Sequence, residues 1–391
     1  MLINTRLAER LKEVTDSSTL AITSQVKKLR AEGQDVINLA AGEPDFDTPL
    51  PIKSAAIEAI NSGFTKYTPA SGTPELKSLI SEKFKKENSL TYGPGQIVVS
   101  CGAKHSIFNT LFALVNKGDE VLMPSPYWIS YPQMVGLCGG IARFIKTSAA
   151  NSFKIDAGEL CRHIGPKTKL LIINSPSNPS GCVYSAEELS KIAAICVKKK
   201  ILVLSDEIYE KIIFDNLKHI SIGGLNKDIY DLTITVNGVS KSYSMTGWRI
   251  GYLGAPADIA KAISGLQGHT TSNPTSISQK AALAALKMDG EYHKQVCAEF
   301  QKRRDFCVLR LNKMKGLSCI SPQGAFYIFC DISRTGLDSL TFSKRLLDEA
   351  LVGIIPGGAF GMDTYVRISF AAPLEQLEKG MDRIEAWLKK Q

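Results

Sequence analysis

The feature that most constrains the fold is a series of short apolar runs separated by amphipathic segments. Each run has the length of a β-strand, and none is long enough to span a membrane. Strands buried on both faces and alternating with helices favour an α/β fold with a mostly parallel sheet. The predicted strands are residues 97–100 (IVVS), 121–123, 170–174 (LLIIN), 201–205 (ILVLS) and 233–236 (TITV), and helices are predicted near 107–115 and 186–199.

The last third of the chain differs in pattern and predicts a smaller α+β unit. A charged helical stretch near residues 291–315 precedes two strand-like runs at 326–331 and 365–370. A chain of 391 residues is long enough for two or three domains. We therefore expect a large domain over residues 48–295 and a small domain over residues 296–391, with residues 1–47 joining the small domain.

Composition excludes several classes of protein. Nine cysteines are scattered without CxxC spacing, which argues against a disulfide framework or a zinc site and favours reduced thiols in the cytoplasm. The first fifteen residues contain no apolar segment of the signal-peptide type. The net charge of +9 comes from basic residues spread over the whole chain. We expect neither a metal site, nor a nucleic-acid partner, nor a membrane partner.

Residues that could bind a ligand or react follow several of the predicted strands, at the strand ends where ligands of parallel sheets bind. Gly102-Ala103-Lys104 opens a helix, whose free N–H groups suit a phosphate, although a plain tight turn is the alternative. Asp206 follows four apolar residues and needs a partner there, unless it caps the next helix. Lys241 lies among small residues, where partial burial would lower its pKa and make it a Schiff-base nucleophile.

Several sequence blocks, taken in order, carry a resemblance that covers nearly the whole chain. The longest runs from Gly238 to Gly251 (GVSKSYSMTGWRIG) and resembles the lysine-attachment signature of class I/II aminotransferases, which use pyridoxal 5′-phosphate (PLP). The chain is most similar to the bacterial aspartate aminotransferase branch of that family. The resemblance implies the fold-type I architecture of PLP-dependent transferases. The other blocks are AGEPDF (41–46), KYTP (66–69), SPYW (125–128), SNPSG (177–181), SDEIY (205–209), GAFY (324–327) and VRIS (366–369).

The resemblance implies roles for individual residues around the cofactor. Lys241 would bind PLP as a Schiff base and shuttle a proton, Asp206 would keep the ring nitrogen protonated, and Tyr209 would hydrogen-bond the ring hydroxyl. Tyr67 of the partner subunit would reach the phosphate, which implies a homodimer with shared active sites. The remaining residues expected to bind the cofactor are Gly102, Ala103, Lys104, Trp128, Asn178, Ser240 and Arg249.

The substrates implied by the resemblance are small amino acids and 2-oxo acids. Arg367 would hold the α-carboxylate in a bidentate fork. Lys104, with Thr19 beside it, is the candidate for a distal carboxylate, with added positive potential for the phosphate as the alternative. The other expected substrate contacts are Gly42, Trp128 and Asn178.

The sequence departs from the family at two positions. A phosphate-binding serine of some relatives is replaced by Gly238, three residues before the lysine. No arginine occurs between Arg249 and Gln301, so the arginine that reads the distal carboxylate from a partner subunit in the animal branch is absent.

The predicted activity is reversible amino transfer from L-aspartate to 2-oxoglutarate, giving oxaloacetate and L-glutamate. Two enzymatic alternatives are an aminotransferase with aromatic or prephenate specificity and a PLP-dependent β- or γ-lyase. A third alternative is a ligand-sensing regulator with a DNA-binding module, for which we expect no room before the block at residue 41.

Overall fold

The computed structural model describes residues 8–11 and 18–391, and the side chains of residues 9, 18–21 and 23 lie outside that description. The α-helices are α1 (Ser18–Ala31), α2 (Leu50–Asn61), α3 (Pro74–Asn88), α4 (Ala103–Leu114), α5 (Ser130–Leu137), α6 (Ala157–His163), α7 (Ala186–Lys199), α8 (Lys227–Tyr230), α9 (Ala257–Gly268), α10 (Ser276–Leu286), α11 (Glu291–Leu311), α12 (Ser339–Ala350) and α13 (Leu374–Leu388). Short 3-10 helices are Glu9–Leu11, Pro94–Gln96, Ala149–Asn151, Ile222–Gly224, Thr246–Trp248, Ser333–Thr335 and Gly357–Phe360.

The strands form one large sheet and two small ones in the described part of the chain. The strands are β1 (Ile37–Asn38), β2 (Ile97–Ser100), β3 (Glu120–Ser125), β4 (Ile141–Lys146), β5 (Thr168–Asn174), β6 (Leu202–Asp206), β7 (Thr233–Gly238), β8 (Gly251–Gly254), β9 (Tyr327–Asp331), β10 (Val352–Gly353), β11 (Ile355–Pro356) and β12 (Tyr365–Ser369).

The large sheet has seven strands in the order β2-β8-β7-β6-β5-β3-β4. Only β8 runs against its neighbours, so the prediction of an α/β fold with a mostly parallel sheet is confirmed. One face packs on α4, α5 and α9, and the other on α2, α3, α6, α7 and α10. Side chains alternate between the faces, as Leu170 and Ile172 on one and Leu171 and Ile173 on the other illustrate.

Two strands of this sheet have no predicted counterpart. β4 lies at the edge and most of its side chains are exposed, so it lacks a continuous apolar run. β8 begins and ends with glycine, and a Cβ at Gly254 would overlap the ring of Tyr92. Exposure in one strand and close packing in the other remove the apolar signal on which strand prediction depends.

The smaller sheets lie in the C-terminal third of the chain. β11, β12 and β9 form an antiparallel sheet whose core is shared with α11, α12 and α13. The N-terminal strand β1 pairs in parallel with β10. The domain boundaries at residues 47 and 295 stay a prediction.

The chain geometry brings the polar strand ends to one edge. β5, β6 and β7 are adjacent and parallel, so their carboxyl ends lie side by side. β2 points the same way and leads into α4 through Gly102, whose φ of 92° lies in the left-handed region that glycine adopts without strain. No helix in the described ranges 8–11 and 18–391 has the length and apolarity needed to cross a membrane.

Candidate active site

A cavity of about 680 Å³ opens at the carboxyl edge of the large sheet. It lies between that sheet and the small antiparallel sheet, because Tyr327 of β9 and Arg367 of β12 also line it. The predicted site residues that line the cavity are Gly42, Ala103, Lys104, Trp128, Asn178, Asp206, Tyr209, Ser240, Lys241, Arg249 and Arg367.

Lys241 enters the cavity from the turn that follows β7. Its Nζ donates a 2.5 Å hydrogen bond to the carbonyl oxygen of Gly42 and lies 6.0 Å from the centre of the Tyr209 ring. Burial lowers the pKa of Lys241 to about 8, assisted by the positive charges of Arg367 and Arg249. A lysine with such a pKa presents a sizeable neutral fraction near neutral pH, as a nucleophile or a proton acceptor requires.

Asp206 ends β6 and is buried at the base of the cavity. Its Oδ2 accepts a 2.6 Å hydrogen bond from the Tyr131 hydroxyl, and its Oδ1 accepts a 3.3 Å bond from the backbone N–H of Ile208. Burial raises the pKa of Asp206 to about 6, whereas these two hydrogen bonds and the Lys241 charge oppose that rise. The carboxylate is therefore held ready for a positively charged partner that would lower its pKa further.

The start of α4 forms a cradle with Arg249. Arg249 donates a 2.8 Å hydrogen bond to the carbonyl oxygen of Thr246 and a 3.4 Å bond to that of Cys101. A Cβ at position 102 would overlap the Arg249 guanidinium, so Gly102 allows that close approach. The first N–H groups of α4 have no acceptor one turn earlier, and together with the guanidinium they make an anion site.

Arg367 approaches the cavity from β12 and is buried. Its Nη1 donates to Oδ1 of Asn178 at 3.1 Å and its Nη2 donates to the carbonyl oxygen of Ala40 at 2.9 Å. The guanidinium lies 4.3 Å from the centre of the Tyr327 ring. Its buried Nε has no hydrogen-bond partner among the described residues, and no carboxylate of those residues forms an ion pair with the guanidinium. A carboxylate ligand would supply both.

Aromatic residues and a second cation complete the walls. The Tyr209 and Tyr327 hydroxyls are 2.9 Å apart. Lys104 comes from α4 and places its Nζ 4.8 Å from the centre of the Trp128 ring. Burial, with repulsion from Arg249, lowers the pKa of Lys104. Both effects favour binding of an anion beside it.

Two predicted site residues that the structure describes, Gly102 and Tyr67, do not line this cavity. Gly102 lies just behind Ala103 and acts through the Arg249 contact. Tyr67 is 90% exposed on the surface of the chain. The Thr19 side chain lies outside the described part of the structure, although its backbone belongs to α1.

Sequence reasoning missed two tyrosines that the fold brings to the predicted residues. Tyr131 bonds to Asp206, and Tyr327 links Tyr209 to Arg367. The spacing of Trp128 and Tyr131, three residues apart at a helix start, could have indicated a shared face. Tyr327 lies in the GAFY block, but nothing local indicates its partners.

Close packing of two strands requires glycine at position 238. It pairs with Gly251 across β7 and β8, and a Cβ at position 238 would lie 2.9 Å from the Gly251 Cα. A serine there would force the two strands apart. Ser240, two residues on, lines the cavity and supplies a hydroxyl on this loop.

A buried polar network braces the chain next to Asp206. Glu207 accepts hydrogen bonds from His219 at 2.8 Å and from Asn88 at 3.2 Å. Glu207, Glu210 and His219 have the spacing of a metal-ligand group, but the Lys83 ammonium already contacts Glu210. Burial opposes ionisation of Glu210, and the Lys83 charge overcomes it and lowers the pKa of Glu210 to about 2. The Lys83 ammonium therefore already supplies positive charge to this cluster of acids.

The chain belongs to the class I and II aminotransferases, whose family model matches residues 34–384. It is 46% identical over 388 residues to the aspartate aminotransferase of Bacillus sp. (strain YM-2), covering 98% of this chain and 99% of the relative. It is 43% identical over 395 residues to the aspartate/prephenate aminotransferase of Nitrosomonas europaea, covering 98% of this chain and all of that one (100%).

Solved structures agree in fold. The aspartate aminotransferase from Rhizobium meliloti superimposes with a TM-score of 0.95 at 40% identity, covering 98% of this chain and 99% of that one. The Thermus thermophilus enzyme with maleate gives 0.93 at 38% identity, covering 97% and 99%. The protein is thus a PLP-dependent transaminase acting on amino acids and keto acids, and the predicted family, fold and cofactor are confirmed.

The residues present fit PLP. The anion cradle at the start of α4 suits the phosphate, the buried Asp206 suits a ring-nitrogen cation, and Lys241 suits an aldehyde. These three groups lie along one cavity wide enough for a cofactor and a small acid.

Proposed function

We propose that this protein is an aspartate aminotransferase that transfers the amino group of L-aspartate to 2-oxoglutarate, giving oxaloacetate and L-glutamate. The observation that carries the proposal is one cavity containing Lys241, Asp206 and two cations from different elements, Arg367 of β12 and Lys104 of α4. Two cations in one cavity suit a dicarboxylate better than a substrate with a single carboxylate. Relatives named aspartate aminotransferase, and a similar structure solved with maleate, support the same choice.

The α-carboxylate of the substrate would bind Arg367. Its unpartnered Nε and the adjacent Nη2 lie on one edge of the guanidinium and can present parallel donors, while the bonds to Asn178 and to the Ala40 carbonyl fix the plane of the group. The Tyr327 ring beneath the guanidinium limits its movement. The Gly42 carbonyl, which holds Lys241, is part of the same wall. The substrate amine would thereby be directed towards Lys241.

Lys241 would be the proton carrier as well as the cofactor-binding residue. Bound PLP would supply an electron-withdrawing ring that stabilises negative charge at the α-carbon of the amino acid. Lys241, with its pKa lowered to about 8, would accept the proton of the substrate α-carbon as a neutral amine. The resulting ammonium would then give a proton back within the active site. Asp206 would fix the ring nitrogen in its charged form, and Tyr209 would donate to the ring oxygen.

The distal carboxylate would bind Lys104. Its Nζ over the Trp128 ring keeps the charge within the cavity, and an anion beside it would offset the burial and the Arg249 repulsion that lower the pKa of Lys104. Because an ammonium is more flexible and more hydrated than a guanidinium, the site would also admit prephenate, itself a dicarboxylate, and some aromatic oxo acids. The aspartate/prephenate name of the Nitrosomonas relative favours this second activity.

We also propose a homodimer in the cytoplasm, with residues 48–295 forming the large domain and the segments 1–47 and 296–391 the small one. Tyr67 is 90% exposed beside α2, whose Leu50, Ile57 and Ile60 are also exposed. An apolar surface of this kind suits a subunit contact that would carry Tyr67 of the partner subunit to the phosphate. All nine cysteines are free, as a reducing compartment requires.

The test is a substrate panel with purified, PLP-saturated protein. Oxaloacetate is expected from L-aspartate only when 2-oxoglutarate is present, together with an equal amount of L-glutamate. Prephenate in place of 2-oxoglutarate is expected to give slower turnover. Release of pyruvate and ammonia from L-cysteine, without oxaloacetate from L-aspartate, would instead assign the protein to the β-lyases.

A further inference from the structure

Two cysteines outside the active site, Cys319 and Cys330, adjoin a bridged residue pair in the C-terminal third. Ser318 and Asp331 form an antiparallel bridge and exchange both backbone hydrogen bonds, at 3.1 and 2.7 Å. The next residue pair in that register is Cys319 and Cys330. In antiparallel pairing the position next to a hydrogen-bonded pair is a non-hydrogen-bonded pair, with Cα atoms about 4.5 Å apart and side chains on the same face.

The backbone bonds of both cysteines agree with this register. The N–H and the carbonyl oxygen of Cys319 bond to the Asn312 side chain at 2.8 and 3.0 Å, so they point away from β9. Cys330 pairs with Val366 on the other side of β9. The separation expected for such a pair lies within the range of Cα distances in disulfides, about 4.4–6.8 Å, so a bond needs little backbone movement.

The two thiols have unequal access to solvent. Cys330 is fully buried, whereas Cys319 is partly exposed at the edge of the same core. A side-chain hydrogen-bonding interaction with Cys319, together with burial, raises the pKa of the Cys330 thiol well above its ordinary value. This interaction agrees with the register in placing the two thiols side by side. An oxidant from solvent would therefore reach Cys319 first and find Cys330 beside it.

We propose that Cys319 and Cys330 form a redox-modification site, in which a hydroperoxide converts the two thiols into an intrachain disulfide. In the first step, the Cys319 sulfur attacks hydrogen peroxide and becomes a sulfenic acid, releasing one water. In the second step, the Cys330 sulfur displaces the sulfenic oxygen, which leaves as a second water with the thiol proton. The two sulfurs lose two electrons, and the peroxide is reduced to two molecules of water.

The disulfide would close a loop that supports the active-site wall. Within residues 319–330, the backbone N–H groups of Gln323 and Gly324 both bond to the carbonyl oxygen of Gly181 at 2.9 Å, and that of Ala325 bonds to Ile212. The loop contains Tyr327, the partner of Tyr209. A disulfide between the ends of the loop restricts the conformations of the unfolded chain. For a loop of this length, we expect the disulfide to raise the midpoint of thermal unfolding on the order of 5 °C.

The experiment treats the holoenzyme with hydrogen peroxide, blocks the remaining thiols under denaturing conditions, and maps the peptides by mass spectrometry. We expect a 319–330 peptide pair that is two hydrogen atoms lighter, that disappears with dithiothreitol, and that accompanies the rise in unfolding midpoint. Alkylation of both residues after treatment, or a bond from Cys319 to the buried Cys307 on α11, would overturn the proposal.

Two variants control the measurement. Cys161→Ser removes an exposed thiol far along the chain and is expected to leave the 319–330 bond and the midpoint shift unchanged. In Cys330→Ala, the same peroxide dose is expected to leave Cys319 as a sulfenic or sulfinic acid, since its resolving thiol is gone. A Cys319 that stays fully reduced in Cys330→Ala, while wild type also shows no bond, would establish that peroxide does not act at this position.

Discussion

The Tyr131 hydroxyl donates a 2.6 Å hydrogen bond to Oδ2 of Asp206, and both side chains are buried. Tyr131 comes from the second position of α5, while Asp206 ends the central strand β6. Burial raises the pKa of Asp206 to about 6, and the Tyr131 bond limits that rise. The tyrosine therefore keeps the acid ionised and fixes which oxygen faces the cavity.

Replacing Tyr131 should shift the pH dependence of cofactor binding. Tyr131→Phe removes the hydrogen bond, so the pKa of Asp206 should rise above about 6 and the neutral acid should persist closer to pH 7. A bond to a charged group is worth about 1.5–3 kcal/mol, or about 1–2 pKa units, so we expect the PLP affinity of the cofactor-free protein at pH 7 to fall about 2- to 15-fold. Recovery is expected at pH 8.5.

The matched control is Tyr92→Phe, which removes a buried hydroxyl that bonds to Thr235 away from the cavity. It should leave the pH profile of PLP binding at the wild-type position. A Tyr131→Phe profile that coincides with that of Tyr92→Phe would contradict the role assigned to Tyr131.

Neutralising Asp206 should stabilise the cofactor-free protein. The folded pKa of about 6 exceeds the ordinary value of 3.8, so the folded state binds more protons between these values. The contribution of this group to the free energy of unfolding therefore falls as pH rises from 3.8 to 6 and stays low above that. Asp206→Asn should gain up to about 3 kcal/mol at pH 7.5, less at pH 5.

Urea unfolding of the cofactor-free protein at both pH values measures this difference. The same variant should bind PLP weakly, because the amide cannot supply the charge for the ring nitrogen. A variant that is less stable than wild type at pH 7.5 would show that the buried carboxylate is not a source of strain.

Removing the Lys241 amine should abolish turnover. Lys241→Ala cannot bind PLP covalently or carry the proton, so kcat should fall by several orders of magnitude and the visible absorption of the covalently bound cofactor should be lost. Lys241→Arg keeps the positive charge and serves as the matched control. Equal loss in both variants is expected, and repeated turnover by either would refute the assignment.

Shortening Lys104 should lower the activity on dicarboxylates much more than the activity on substrates with uncharged side chains. Lys104→Ser removes the cation near Trp128, and kcat/KM for L-aspartate should fall by about 1.5–3 kcal/mol in transition-state free energy. L-Alanine should be affected much less, and Lys104→Arg should restore most of the aspartate activity. Similar losses for both amino acids would assign Lys104 to the phosphate alone.

Arg367 should act on every substrate in the same way. Arg367→Ala removes the donors proposed for the α-carboxylate, so kcat/KM should fall by similar factors for L-aspartate and L-alanine. Steady-state kinetics with both amino acids make the comparison. A loss confined to L-aspartate would move the distal carboxylate to Arg367 and contradict the proposed orientation.

The sequence by itself determined the sheet type and most of the proposed cofactor contacts. Asp206 and Lys241 each come a few residues after an apolar run, and Gly102 precedes a helix, so each signal lies within a few residues of the strand that carries it. Such local patterns predict a site without knowledge of the strand order, because the carboxyl ends of the strands in a parallel sheet meet at one edge.

Only the tertiary structure decided the contacts between distant segments. The Tyr131 bond to Asp206 spans 75 residues, and the Tyr209 bond to Tyr327 spans 118. Gly238 is required because Gly251 lies against it in a strand that runs the other way. Pairings of this kind depend on strand order and packing, in which residues far apart in sequence become neighbours, and no periodicity along the chain records them.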